Sequence, residues 1–260
     1  MLGAFQSFAI VVLATVLSVA VLYLIQRIWE PSRRRSHNDV IGPSVNVIGT
    51  MYAVIIAFML SGVWGNFRAA IQNAEIEANS LVSIGRLSRA FPPVQAERIR
   101  TLTMEYANVM IFQEWPAMVN EQQSPKSHAI MLDLWTVIPT TPTQSQLQAA
   151  AVQQALTELS SMTEHRRIRI MQSRSKLPTV LWIVLLMGGI ITILAACMFG
   201  VEDFKIHALQ VGALTLITTI ALVAIADIDH PFSGAVHVRP TSFQYALETL
   251  SEIPAAPVVH

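Results

Sequence analysis

The stretch PSVNVIGTMYAVIIAFMLSGVWG, residues 43–65, contains no Asp, Glu, Lys or Arg. As a helix rising about 1.5 Å per residue, it is long enough to cross a hydrocarbon core ~30 Å thick. Three further stretches share this property: Phe8–Ile25, Thr179–Val201 and Ala208–Ala226. The reading is an integral membrane protein with four transmembrane helices, for which the bilayer is the principal solvent.

Composition agrees. Of 260 residues, 53% are hydrophobic and 13% charged, against ~25% charged in a soluble domain. The net charge is zero, so no bulk electrostatic attraction points to nucleic acid. The single cysteine, Cys197, lies inside the third apolar stretch. It excludes an intrachain disulfide and a Cys-rich metal site, and reads as a small side chain at a helix contact. No Lys or Arg precedes the first apolar stretch, so Phe8–Ile25 reads as a retained membrane helix rather than a cleaved signal.

The apolar stretches form two pairs. They divide the chain into a first transmembrane pair (1–65), a helical extramembrane domain (66–177), a second pair (178–227) and a tail (228–260). Tyr23, Trp29, Trp64, Phe67, Trp182, Phe199 and Phe204 stand at span ends, where amphipathic rings suit the headgroup region. Beyond Gly65, the positions Phe67, Ala70, Ala74, Ala78, Leu81, Ile84 and Phe91 recur mostly at helical steps. No Pro or Gly interrupts the chain from Asn66 to Ser83, so the second span is expected to run on into the insert as one rod until Pro92-Pro93. A second insert helix carries Ile99, Leu102, Tyr106, Val109 and Met110 on one face and ends near Trp115-Pro116. A short apolar piece covers Ala129–Ile138. A last helix starts near Gln144, with Val152, Leu156 and Leu159 on one face, and runs towards Pro178, a first-turn proline for the third span. No strand or hairpin signature competes. The tail, with Pro231, Pro240, Pro254 and Pro257, reads as loose at its end.

The second span has one narrow stripe of small residues, Gly42, Asn46, Gly49, Ala53, Ala57, Ser61 and Gly65. Small residues let helix backbones approach closely in lipid, so Gly49, Ala53, Ala57 and Ser61 are candidate helix-packing positions. The bulkier face, with Met51, Ile55 and Phe58, is a candidate apolar constriction, since such constrictions gate pores by dewetting. Asn46 reads either as an interhelical hydrogen bond or as a polar ring. Arg68 and Glu75, beyond the span, read as a solvated face or a charged mouth. Glu77 shares these alternatives, an interior ion pair among them.

Asp227, Asp229 and His230 end the fourth span. They supply fewer oxygens than a calcium site needs, and read as a helix-ending turn docked on the insert. No metal or cofactor is expected. No Gly-x-Gly-x-x-Gly, phosphate loop, His-Glu-x-x-His or Gly-x-Ser-x-Gly occurs, so nothing points to an enzyme.

Orientation is divided. Arg27, Arg33, Arg34 and Arg35 in the first loop favour a cytoplasmic loop. Arg68, with Arg166, Arg167, Arg169, Arg174 and Lys176, favours a cytoplasmic insert.

Three segments resemble a bestrophin-like family of bacterial membrane proteins. They are Gly49-Thr-Met-Tyr-Ala-Val-Ile-Ile-Ala-Phe58 with Trp64, Glu114-Trp115-Pro116, and Asp229-His-Pro-Phe-Ser-Gly234. The resemblance implies an all-α fold and a bacterial inner-membrane protein. It also implies a homo-oligomer, a pentamer first, that conducts small ions along the second helix. The sequence has no clear counterpart of the family's aromatic neck triplet or of the calcium clasp of animal bestrophins. The first-loop arginines would oppose the bestrophin orientation. The alternative is a non-conducting scaffold or sensor whose helical domain binds a partner or ligand.

Overall fold

The computed structural model describes residues 3–254. Every regular element among them is helical. The longer ones are α1 (Ala4–Ile28), α3 (Asn38–Leu87), α4 (Pro93–Val109), α6 (Pro125–Val137), α7 (Gln146–Arg174), α8 (Thr179–Cys197), α9 (Phe204–Ile228) and α10 (Thr241–Glu252). The short α2 (Pro31–Arg35) and α5 (Trp115–Met118), a 3-10 turn at Ser88–Ala90 and a π-helical turn at Met110–Glu114 complete the described elements. The chain forms two compact units. One comprises residues up to Gly65, Lys176–His230 and Gly234–Val236, and the other comprises Asn66–Ser175, Pro231–Ser233 and the chain from His237.

Among the described residues, four helices have the length and composition to cross a membrane: Phe5–Ile28, Asn38–Ala90, Thr179–Cys197 and Phe204–Ile228. Between 11% and 28% of their most apolar windows is buried within the protein. Such apolar helices require an apolar surrounding, which the bilayer supplies. The protein is an integral membrane protein. The second of these helices continues without a break as a 50-residue rod, as the sequence pattern predicts.

Among the described residues, apolar clusters hold the first unit together. Leu22, Cys197 and Val211 meet beside Ile25 and Ile193. Val63, Leu185 and Ile225 meet beside Ile55, Ile56, Met59 and Leu60. Helix α3 meets α8 through the side chain of Tyr52. The Tyr52 side chain lies on Gly188 and Gly189, where an added Cβ would stand 2.6 Å from a ring carbon and 2.8 Å from the hydroxyl oxygen. The Tyr52 hydroxyl donates to the Leu185 carbonyl at 2.8 Å. The Gly-Gly step on α8 makes this contact; the small-residue stripe on α3 does not.

At one end of this unit, α2 sits against the α8–α9 turn. Buried Arg34 donates through Nη1 to the Cys197 carbonyl at 2.8 Å, placing a cation at the negative end of α8. Burial lowers its pKa from the ordinary guanidinium value. Arg35 pairs with Glu202 at 2.7 Å. Asn38 donates to the Gly200 carbonyl at 3.2 Å and accepts from the Gly200 N–H at 2.9 Å. Asp203 caps α9 by accepting from Lys205 N–H and Ile206 N–H. A Cβ on Gly200 would stand 2.7 Å from the Arg34 carbonyl carbon and the Arg35 Cα. Because backbone cannot yield as a side-chain tip can, Gly200→Ala is expected to cost about 1–3 kcal/mol, read as a lowered Tm in detergent.

In the second unit the buried positions are Phe67, Ala70, Ala74, Ala78, Leu81 and Ile84 of α3, and Ile99, Leu102, Tyr106 and Val109 of α4. Both match the expected faces. The buried seam of α7 is Ala151, Ala155, Leu159, Met162, Arg166 and Arg169. Val152 and Leu156 flank it half-buried, so the seam is rotated from the expected face: small alanines and two arginines take the inner positions.

The Trp115-Pro116 region also departs from expectation. The helix does not stop there but widens into a π-helical turn at Met110–Glu114 and resumes as α5. The Trp115 N–H reaches back to the Met110 carbonyl, and the wider turn accommodates the ring that Pro116 would otherwise drive into the preceding turn. Pro178 stands at the N-cap of α8, one residue before its first turn. The tail contains α10, whose Phe243, Ala246 and Leu250 are buried.

Candidate functional site

The membrane part of α3 has two unlike faces. Tyr52, Ile55, Ile56, Met59, Leu60 and Val63 pack inward. Met51 and Phe58 point outward, 63% and 70% exposed, and Val47 and Val54 are exposed beside them. Of the three bulky residues expected at a constriction, Ile55 thus belongs to an internal apolar cluster. Asn46, Ala53, Ala57 and Ser61 are also exposed. An added Cβ at Gly49, Gly62 or Gly65 would meet nothing within 4 Å. Among the described residues, the stripe from Asn46 to Gly65 therefore packs on no other helix of its own chain, while Gly42 at its start faces the Phe199 ring. Beyond the span, Arg68 and Glu75 are exposed and form no ion pair with each other.

Glu77, by contrast, is fully buried. It is the acceptor at the centre of a polar cluster inside the second unit. Arg169 binds it with two bonds, Nε to Oε2 at 2.7 Å and Nη2 to Oε1 at 3.2 Å. The Tyr106 hydroxyl donates to Oε1 at 2.6 Å. Glu114, also fully buried, accepts from the Ser124 N–H at 2.6 Å and the Ser127 hydroxyl at 3.0 Å. Arg169 and Arg166 reach Glu114 Oε1 at 3.6 Å and 3.7 Å, and Arg166 also donates to Ser127 Oγ at 2.9 Å. Two carboxylates thus face two guanidiniums, so the cluster is neutral overall.

Burial pushes the Tyr106 hydroxyl well above its ordinary pKa, and the Glu77 charge adds to the rise. Burial opposes the charge on Arg169, but Glu77 more than offsets it and raises the pKa. Both groups hold their protons throughout the physiological range. The surface patterning of α7 concealed this cluster, because Arg166 and Arg169 sit in a run of basic residues that reads as solvated.

The Glu114-Trp115-Pro116 and Pro231-Phe232-Ser233 segments meet in the same unit. The Trp115 indole donates to the Val238 carbonyl at 2.8 Å. Its ring meets Phe232 edge-on at 5.8 Å and Phe243 at 5.5 Å. The Arg169 guanidinium lies 5.3 Å from the ring centroid, a favourable cation–π placement. The Val238 N–H closes the turn by donating to the Pro231 carbonyl at 2.7 Å.

Within the first unit, Asp227 and Asp229 act as backbone acceptors. Asp227 takes the Ala235 and Val236 N–H groups, each at 2.9 Å. Gly234 serves this turn with φ +97°, and a Cβ there would come 2.5 Å from Asp227 Oδ1. Asp229 takes the Leu177 N–H on both oxygens at 3.0 Å and 3.1 Å. Burial raises the Asp229 pKa, and the Leu177 N–H works against that rise. Among the described residues no group of three His, Cys, Asp or Glu side chains could hold a metal ion.

The sequence matches the Bestrophin-like domain over residues 12–243. The chain belongs to the bestrophin-like family. No curated protein matches this bestrophin-like chain in sequence. Its fold is similar to crystal structures of a bacterial bestrophin homologue from Klebsiella pneumoniae. One matches at TM-score 0.69 and 12% identity, covering 94% of this chain and 99% of that one. Two point variants of the homologue match at TM-scores of 0.72 and 0.71, each at 12% identity. They cover 93% and 94% of this chain, and 99% and 97% of their own. At that identity the shared property is the fold, so this bestrophin-like protein has a bestrophin-type fold.

Proposed function

We propose that this protein is an oligomeric ion channel of a bacterial inner membrane, with the membrane part of α3 nearest the pore axis. The observation that carries the reading is the unpartnered face of that helix. Lipid alone would suit Val47, Met51, Val54 and Phe58. It would not suit Asn46, whose amide needs hydrogen-bonding partners in hydrocarbon. Nor would it explain Gly49, Ala53, Ala57 and Ser61, which let another helix approach closely. Copies of the chain side by side satisfy both, with the small residues against a neighbour and Met51 and Phe58 turned to the axis. Family likeness makes five copies the first expectation. Ile55 then stands behind the constriction, Asn46 forms a polar ring, and Arg68 with Glu75 sets the charge at the mouth.

The insert is proposed to be cytoplasmic. Arg34 is buried and Arg35 is paired with Glu202, which weakens the first loop as a topological signal, while Arg68, Arg167 and Arg174 remain exposed near the insert's ends. The carboxylates Glu77 and Glu114 are sealed in a packed core, which supports a structural role and not an enzymatic one.

Planar-bilayer recording of the purified protein tests the proposal. Phe58→Ala is expected to raise single-channel conductance or open probability several-fold by widening an apolar neck. Silence of the wild type and the variant across pH, voltage and calcium would overturn the channel reading and favour the non-conducting scaffold or sensor.

A further inference from the structure

Helices α1, α8 and α9 line a groove of about 420 Å³ within the membrane-spanning segments. Its walls are apolar, with Ile10, Leu17, Ile190 and Leu194 among them, except for the hydroxyls of Ser18, Thr215, Thr218 and Thr219. Ser18 donates to the Thr15 carbonyl at 2.9 Å and Thr215 to the Val211 carbonyl at 2.8 Å. These are the usual internal solutions for a hydroxyl in a membrane helix. Thr218 and Thr219 do not adopt them. They are 6% and 8% exposed, and among the described residues neither hydroxyl has a hydrogen-bond partner. They lie roughly 21 Å from the start of α9 and roughly 14 Å from its end, at 1.5 Å rise per residue, deep in the hydrocarbon layer. A phospholipid presents only methylene groups at that depth, which leaves two donors unsatisfied.

We propose that this groove binds a neutral, lipid-soluble carbonyl compound of the quinone type. The Thr218 and Thr219 hydroxyls donate to a ring carbonyl, and the alkyl or prenyl tail follows the apolar wall. No charged side chain lines the groove, so a fatty-acid carboxylate would be buried there without a counter-ion. The groove is independent of the conduction path proposed above.

The test uses the full chain in detergent, titrated with decylubiquinone and, separately, with decylbenzene, which has the tail and ring without carbonyls. Binding is read by calorimetry. Saturable decylubiquinone binding is expected, with decylbenzene binding at least about tenfold more weakly. Thr218→Val combined with Thr219→Val keeps the β-branched shape and removes both donors. It is expected to weaken decylubiquinone binding about tenfold or more and leave decylbenzene unchanged, with Tm preserved. Ala14→Phe, which fills the groove from α1, is expected to abolish binding of both. Equal binding of the two probes, insensitivity of decylubiquinone to the double valine variant, or no saturable binding would each overturn the proposal. The first two would leave the groove as a seat for plain acyl chains. The readout does not depend on conductance, so a silent channel would not affect it.

Discussion

Replacing Arg169 with methionine is expected to lower stability by about 3–5 kcal/mol, because it strands the Glu77 carboxylate in a dry interior. In a chain of this size that corresponds to a Tm drop of roughly 10 °C. The variant loses both bonds to Glu77, the approach to Glu114 and the cation–π placement over Trp115. The cost is chiefly that of the abandoned charge. Glu77→Met with Arg169→Met should therefore recover much of the loss, since an apolar replacement of both partners removes the desolvation penalty along with the attraction. Thermal denaturation in detergent of both singles and the double gives the coupling. A fall of less than about 1 kcal/mol in the single variant would mean that the cluster is hydrated. Alkaline pH probes the same core. The folded-state pKa of Tyr106 is raised above its unfolded value. The unfolded chain therefore releases this proton first, and stability falls as pH rises above about 10.

The second large effect is expected at Trp115. Trp115→Ala empties the space among Phe232, Phe243 and Arg169 and leaves the Val238 carbonyl without its indole donor. Large-to-small changes of this kind cost about 3–5 kcal/mol. Trp115→Phe keeps a ring but loses the N–H, and should cost about 1–3 kcal/mol. Because the indole holds the segment leading into α10, chymotrypsin should cut after exposed Tyr245 much faster in the alanine variant than in the wild type. Equal cleavage rates would show that α10 is held by Phe243, Ala246 and Leu250 alone.

The spans were legible because hydrocarbon tolerates so few sequences: an uninterrupted apolar run has one principal use. The rod formed by α3 was legible because its inner face keeps helical spacing past Gly65. Helix ends were less so. The structure starts α3 at Asn38, five residues before Pro43, where the Asn38 amide bridges both polar groups of Gly200, a partner distant in sequence. The buried arginines of α7 were hidden for a similar reason. Periodicity assigns a charged residue to the surface, and only the tertiary partners Glu77 and Glu114 reverse that assignment. Helix α10 went unseen because its short apolar face follows a proline-rich turn. Met51 and Phe58 stand outward on the expected bulky face, whereas Ile55, at the edge of that face, turns into a cluster completed by Leu185 and Ile225.

The second unit is discontinuous: α3, α4, α6 and α7 enclose a core into which Phe243 and Leu250 of α10 are inserted. During synthesis the ribosome adds residues 176–240 between the end of the insert and that plug. At ~5–20 residues per second these take roughly 3–13 s. Throughout that interval the nascent insert carries an open apolar seam while the last two spans enter the bilayer. Biogenesis of this protein therefore calls for a chaperone or the translocon itself to shield the seam, and premature termination before residue 241 would leave a product marked for proteolysis.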